Sequence, residues 1–272
     1  MQHFSISPLE VVTSACRHNG LIWTMIRRDV AGRYRGSSLG MLWSLFNPIL
    51  MLVIYTFVFS VVFKARWSSD GESKEQFALM LFAGLIFFNL FAECISRAPN
   101  LILGNVNYVK KVVFPLEILP WITLGAALFH FFISLLVWLA ACLLLTGKLH
   151  LTTLLLPVVM LPLLLITLGL TWLLASLGVY LRDVAQVVGV IVSVMMFISP
   201  IFYPVTALPE AYQGILQANP LTPTIEGARK IMFLGEMPDW HQLGMLGLLS
   251  LIICWLGFAW FQQTRKGFAD VL

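Results

Sequence analysis

Residues 39–63 read LGMLWSLFNPILMLVIYTFVFSVVF, 25 consecutive positions without a charged side chain. In helical form such a stretch rises about 37 Å, enough to cross about 30 Å of hydrocarbon with some tilt. Asn47-Pro48 inside it is expected to kink the helix, because proline removes one backbone donor and crowds the preceding turn. Five further apolar stretches follow, at 77–95, 116–146, 151–180, 184–202 and 243–261. Trp255 and Trp260, towards the exit of the last, are expected as interface anchors. The pattern predicts an all-α polytopic membrane protein: an N-terminal arm over 1–38, then a transmembrane domain of six helices over 39–272.

Composition agrees. The chain is 59% hydrophobic and 11% charged, with a mean hydropathy of +0.89, against roughly 25% charged residues in soluble domains. The net charge of +4 does not point to nucleic acid, because the basic residues are spread over the loops between apolar blocks. Placed there, they orient helices. Cys16, Cys94, Cys142 and Cys254 show no CxxC spacing, so small apolar filler is expected rather than a disulfide framework or a metal site. A cleavable leader is not expected: the first apolar run is too long, and Asp29 follows Arg27-Arg28 where a twin-arginine signal turns apolar.

With the N-terminus inside, eleven of the 17 lysines and arginines fall on inner segments, among them Arg17, Arg97, Arg182, Arg265 and Lys266. Lys64, Arg66, Lys74, Lys148, Arg229 and Lys230 fall outside. This bias predicts both termini on the cytoplasmic side of a bacterial inner membrane.

The arm opens with Ser7-Pro8-Leu9-Glu10, a helix start with serine at the N-cap, proline at N1 and glutamate at N3. After Asn19-Gly20 a second helix carries Ile22, Met25, Ile26 and Val30 on one stripe, with Arg27, Arg28, Arg33 and Arg35 mostly off it. A stripe so flanked is expected in the headgroup plane of an anionic leaflet; a solvated arm is the plainer alternative. Two connections are unusual. Residues 97–115, RAPNLILGNVNYVKKVVFP, are too patterned for a tight turn. Leu101, Ile102, Val106 and Val109 suit one face of a short helix, with Lys110 and Lys111 at its C-terminal end, where cations are favoured. Residues 204–240 are proline-rich yet hold two apolar fragments, Pro209 to Gln217 and Thr222 to Phe233. They are expected to form a re-entrant helical hairpin, tolerated only where protein or a wet cavity covers the backbone; an ordinary outer loop is the alternative.

Catalytic signatures are missing. Neither GxxxxGK[ST], HExxH nor GxSxG occurs, so neither nucleotide hydrolysis nor any other enzymatic step is expected in this chain. His130 and Asn89 lie within spans. Each is expected to be hydrogen-bonded across helices, with a proton relay as the alternative for His130. No span carries the run of acidic or basic residues that ion-driven transport uses, so the driving energy should come from elsewhere. Aromatic residues are abundant (20 Phe, 9 Trp, 6 Tyr). Most are expected in packing, but flat apolar faces with few fixed charges also permit a path along which a sugar chain slides.

Several strings resemble one family. Gly36-Ser37-Ser38-Leu39-Gly40 with Leu42-Trp43, then Asn47-Pro48 and the run to Val58-Phe59-Ser60, is similar to the first span of type-2 ABC exporter permeases. Within these it resembles the branch exporting O-antigen, capsule-like polysaccharides and teichoic acids. Asn107-Tyr108-Val109-Lys110-Lys111-Val112-Val113-Phe114-Pro115, Glu117-Ile118-Leu119-Pro120, Leu181-Arg182-Asp183-Val184, Ser199-Pro200-Ile201-Phe202-Tyr203-Pro204 and Asn219-Pro220-Leu221-Thr222-Pro223 extend the likeness across nearly the whole chain. The resemblance implies a homodimer joined to two copies of a nucleotide-binding ATPase subunit. ATP and Mg would belong to that partner, with no cofactor or metal in this chain. Gly104, Asn105, Tyr108, Lys110 and Lys111 would couple to the ATPase. Trp43, Tyr55, Phe59, Phe88, Phe197 and Tyr203 would line the channel for an undecaprenyl-linked polysaccharide, O-antigen ahead of the other polymers. Arg27, Arg28, Arg33 and Arg35 would gate the cytoplasmic mouth or meet the carrier-lipid diphosphate. An exporter of teichoic acid, capsule, drug or lipid, an ATP-independent channel and a synthase scaffold stay open as alternatives.

Overall fold

A computed structural model of the chain describes residues 5–58, 74–110 and 114–272. Its helices are α1 (Pro8–Arg17), α2 (Asn19–Tyr34), α3 (Trp43–Tyr55), α4 (Lys74–Arg97), α5 (Val106–Lys110) and α6 (Leu119–Thr146), then α7 (Leu156–Tyr180), α8 (Val184–Ile198), α9 (Glu210–Ala218), α10 (Leu221–Arg229), α11 (Trp240–Thr264) and α12 (Phe268–Val271). No strand occurs among the described residues. Among the described residues, five stretches are long and apolar enough to cross a membrane: Gly40–Val58, Gln76–Asn100, Leu116–Thr146, Leu151–Tyr180 and Trp240–Val271. The chain is a multi-pass membrane protein.

The fifth stretch expected from sequence is corrected. Helix is predicted over 184–202, but α8 stops at Ile198 after 15 residues. Ser199 takes an extended conformation (φ −86°, ψ 148°) because Pro200 follows, and the ring disfavours helical geometry one residue upstream. At 1.5 Å per residue α8 is about 22 Å long, short of the hydrocarbon thickness. The tail of the first stretch, 59–63, lies outside the described residues.

Helix α4 is the central element. From Phe77 to Phe91 every residue except Asn89 is buried, and α4 packs against α3, α6, α7, α8 and α10. Helices α7 and α11 form the closest pair. A Cβ built on Gly257 would fall on the carbonyl of Gly169, and one on Gly169 would meet the backbone at Ile253–Cys254. Small residues let backbones approach to this degree. Gly257→Leu is expected to push the two spans apart and lower stability by about 2 kcal/mol, read as a fall in the thermal midpoint of the detergent-solubilised protein.

The polar contacts sort into two ends of the bundle. At one end, Arg265 pairs with Glu117 at 2.6 Å, the Tyr180 hydroxyl donates to the Thr264 carbonyl (2.8 Å), and the Trp255 indole donates to the Ile6 carbonyl (3.0 Å). Trp255 thus ties down the N-terminal segment besides facing outward. At the other end, Thr152 donates to the Ile231 carbonyl at 2.5 Å, and Asp239 caps α11 by accepting from the amides of His241 (3.0 Å) and Gln242 (3.1 Å). That cap starts α11 at Trp240, three residues ahead of the predicted 243.

Candidate functional site

The turn from α2 into α3 needs the glycines it has: Gly36 (φ 85°) and Gly40 (φ 51°) adopt left-handed conformations that side chains with a Cβ resist. This turn brings α2 back across the mouth of a cavity of about 930 Å³ between α2, α3, α4 and α6. Trp43, Asn47, Met51 and Tyr55 line it from α3 in steps of four, the spacing that stacks side chains on one face of a helix. From α4 come Asn89, Glu93, Ser96 and Arg97, and from α6 His130 and Ser134.

The charges in this cavity are tied to one another. Arg33 pairs with Glu93, whose other oxygen lies 3.1 Å from His130 Nδ1. Nε2 of the same ring is 3.0 Å from the Tyr34 hydroxyl. A neutral imidazole with its proton on Nδ1, an assignment made from the network, donates to Glu93 and accepts from Tyr34. Burial, opposed by Arg33 and aided by Glu93, raises the Tyr34 pKa, so the phenol stays neutral. Arg97 grips Asp29 with two bonds of 2.8 and 2.9 Å, the planar fork that guanidinium and carboxylate share. His130 is thus bonded across helices, as expected. Asn89, expected to behave alike, makes no hydrogen bond among the described residues.

Helix α2 carries most of these contacts, and its apolar stripe packs on protein: Met25 and Val30 are buried, while Ile26 occupies the space a Cβ on Gly125 of α6 would need. Its arginines are divided. Arg27 stacks over Trp23, 4.9 Å from the ring centre. Arg28 donates to the Tyr108 hydroxyl at 2.6 Å, and Tyr108 stacks on Phe114 (4.4 Å, 13°). Arg33 is ion-paired, and Arg35 is exposed with no ion pair among the described residues. Arg28 and Arg35 line one depression of about 440 Å³ with Gly32 and Tyr34.

The 97–115 connection forms short 3-10 turns before α5, with Leu101 and Ile102 buried and Gly104 open enough for a Cβ to meet nothing within 4 Å. Asn105 donates to the Leu101 carbonyl (2.8 Å), and Lys110 ends α5 exposed. Lys111 lies outside the described residues, as does Phe59. Of the expected lining aromatics, Trp43 and Tyr55 share the cavity. Phe88 is corrected: it is 3% exposed in the core, because one step from Asn89 turns it about 100° around α4. Phe197 is exposed on a separate groove along α8 with Gly189 and Ser193, and the Tyr203 hydroxyl donates to the Phe197 carbonyl (2.5 Å).

Sequence reasoning missed the convergence of two proline motifs. The Asn219 amide donates to the Ser199 hydroxyl at 2.9 Å, so Ser199-Pro200 and Asn219-Pro220 meet. Arg229, one turn from the end of the hairpin, is 5% exposed. Its guanidinium donates to the carbonyls of Met80 (2.9 Å), Pro200 and Ile201 (2.9 Å). The available signal was an arginine set between apolar residues, Ile225 and Ala228 before it and Ile231 to Leu234 after it; the positive-inside count took it as a loop charge.

Residues 20–233, most of the chain, match the family described as "ABC-2 type transporter". The chain belongs to the ABC-2 type transporter family. This ABC-2 chain is also similar over most of its length to export permeases and a transport protein from several bacteria. It is 27% identical over 264 residues to the "O-antigen export system permease protein RfbA" of Myxococcus xanthus, covering 96% of this chain and 99% of that one. A protein of the same description from Klebsiella pneumoniae is 25% identical, covering 93% and 95%. The "Polysialic acid transport protein KpsM" of Escherichia coli is 26% identical over 88% of this chain and 91% of its own length.

Proposed function

We propose that this chain is the permease subunit of an ATP-driven exporter that moves a lipid-linked polysaccharide, O-antigen above other polymers, across the bacterial inner membrane. The observation that carries the reading is the end-to-end match to permeases named for O-antigen export. The cavity supports it, with Trp43 and Tyr55 offering apolar ring faces and its charges neutralised in pairs. Because the sequence holds no phosphate-cradling loop, hydrolysis belongs to a separate ATPase, with ATP and Mg bound there.

In the finer reading, two permeases assemble with two ATPase subunits, both termini are cytoplasmic, and α8 is a sixth crossing. Its short length is made up by the α9–α10 hairpin, which re-enters the membrane from the periplasmic side and covers the end of α8. Helix α2 lies at the cytoplasmic headgroup level, where Arg28 and Arg35 face the same depression and suit the diphosphate of the carrier lipid. The segment from Gly104 through Asn105 and Tyr108 to Lys110 and Lys111 docks on the ATPase, and the Arg28–Tyr108 bond passes its movement to α2.

Deletion of the gene should leave polymer in the cytoplasm and none at the surface; normal surface polymer would defeat the reading. The capsule alternative, which the polysialic acid relative favours, would show as trapped capsule rather than O-antigen. Lys110→Glu with Lys111→Glu is expected to cut recovery of the ATPase with the tagged permease, and export with it, by about tenfold. Unchanged recovery and export would remove the docking role.

A further inference from the structure

Two neutral amides stand apart from the charge network of the cavity. Asn89 is the one exposed residue on the otherwise buried stretch of α4 from Phe77 to Phe91, and Asn47 faces the same cavity from α3. Neither makes a hydrogen bond among the described residues, whereas Arg33, Glu93, Arg97 and His130 are each bonded to protein. At this depth an unpaired amide is unfavourable unless water or a ligand meets it. Asn47 also sits one helical turn from Trp43 and two turns from Tyr55, on the same face. An amide there lies about 6 Å along the helix from Trp43, within reach of the rim of a flat ring resting on that indole.

We infer that Asn47 and Asn89 are the hydroxyl-binding contacts of the export path, resting on the reading above that the cavity carries a polysaccharide. A pyranose has an apolar C–H face and a rim of hydroxyls that both donate and accept. Trp43 and Tyr55 take the face, and the two amides, each with two donor hydrogens and one acceptor oxygen, take the rim. Neutral hydrogen bonds are individually weak in net terms, so successive sugar units exchange on them and the chain slides. A charged contact would hold a unit too long. Locking the arginines and Glu93 to one another therefore keeps the path smooth.

The test uses the full transporter in a strain lacking its own permease, with the host's own O-polysaccharide as probe. Asn47→Leu/Asn89→Leu keeps the branching at Cγ and the number of side-chain heavy atoms and removes both amides. Surface polymer should fall about tenfold, with recovery of the ATPase partner, dimer assembly and basal ATP hydrolysis within about twofold of wild type. Asn47→Gln/Asn89→Gln should restore most of the export. An independent reading comes from Asn89→Cys in a Cys16→Ser background. A membrane-impermeant thiol reagent should label it in inverted vesicles, more slowly when polymer is being exported. Wild-type surface polymer from the double leucine variant overturns the inference, as does loss of dimer assembly, which would give the amides to the subunit contact. Absence of labelling at position 89 overturns it too. Failure of the wild-type chain to restore surface polymer defeats the export reading and this inference together, whereas the other outcomes defeat the inference alone.

Discussion

Glu93→Ala is expected to weaken the docking of α2 on the bundle by about 30-fold and to lower export. The carboxylate is shared by Arg33, His130 and, at 3.8 Å, Arg97. Removing it leaves Arg33 beside a neutral wall, and an uncompensated charge in a poorly solvated site is costlier than the pair was favourable. With Glu93 and Arg33 side chains 20% and 32% exposed, water offsets part of this, and about 2 kcal/mol remains. That shifts the docked–released equilibrium of α2 about 30-fold. Arg33→Met/Glu93→Leu, which removes both charges, should recover about half of the lost stability, since the stranded cation is the main penalty. Thermal midpoints in detergent for the two singles and the double, with surface polymer measured in parallel, check this. A Glu93→Ala protein with wild-type midpoint and export would show that the network does not hold α2.

Arg229→Met should be the most damaging single change, lowering stability by about 3 kcal/mol and abolishing accumulation of folded protein. The guanidinium satisfies the carbonyls of Pro200 and Ile201, which lie just beyond the end of α8 and outside its backbone ladder. It reaches Met80 on α4 as well. Truncation strands all three acceptors in a place water does not reach. Lysine should not rescue, because its ammonium lacks the planar fork that spans separate carbonyls. Gly84 makes the room: a Cβ there would lie 2.6 Å from Arg229 Nη2, so Gly84→Leu should reproduce the defect from the opposite side. Fluorescence-detected size exclusion and thermal midpoints measure both variants, and full yield of Arg229→Met would refute the clamp.

The long apolar helices were legible because hydropathy over about 20 residues is a strong signal that needs no partner. Local chemistry placed the hairpin helices too: α9 ends at Asn219-Pro220, and Gly235 (φ 71°) follows the last turn of its second half. The short end of α8 was missed although Ser199-Pro200 marks it, because apolar continuity was weighed above the proline. Where side chains point was the harder matter. Phe88 and Asn89 are neighbours in sequence, yet one packs in the core and the other faces the cavity. Only the packing of α4 against several helices at once decides that. The same holds for the arginines of α2 and of its C-cap, Arg35, which form one basic cluster in sequence but separate in space into a ring stack, a tyrosine bond, an ion pair and an exposed group.

The central claim is that this chain is a conduit whose work is supplied by a separate nucleotide-hydrolysing partner. Reconstituting the purified permease into liposomes, with and without the ATPase, and following transfer of lipid-linked O-polysaccharide to the opposite leaflet tests it most directly. Transfer should require both subunits and ATP, and should stop with a non-hydrolysable analogue. Net transfer against a gradient by the permease alone would contradict the account.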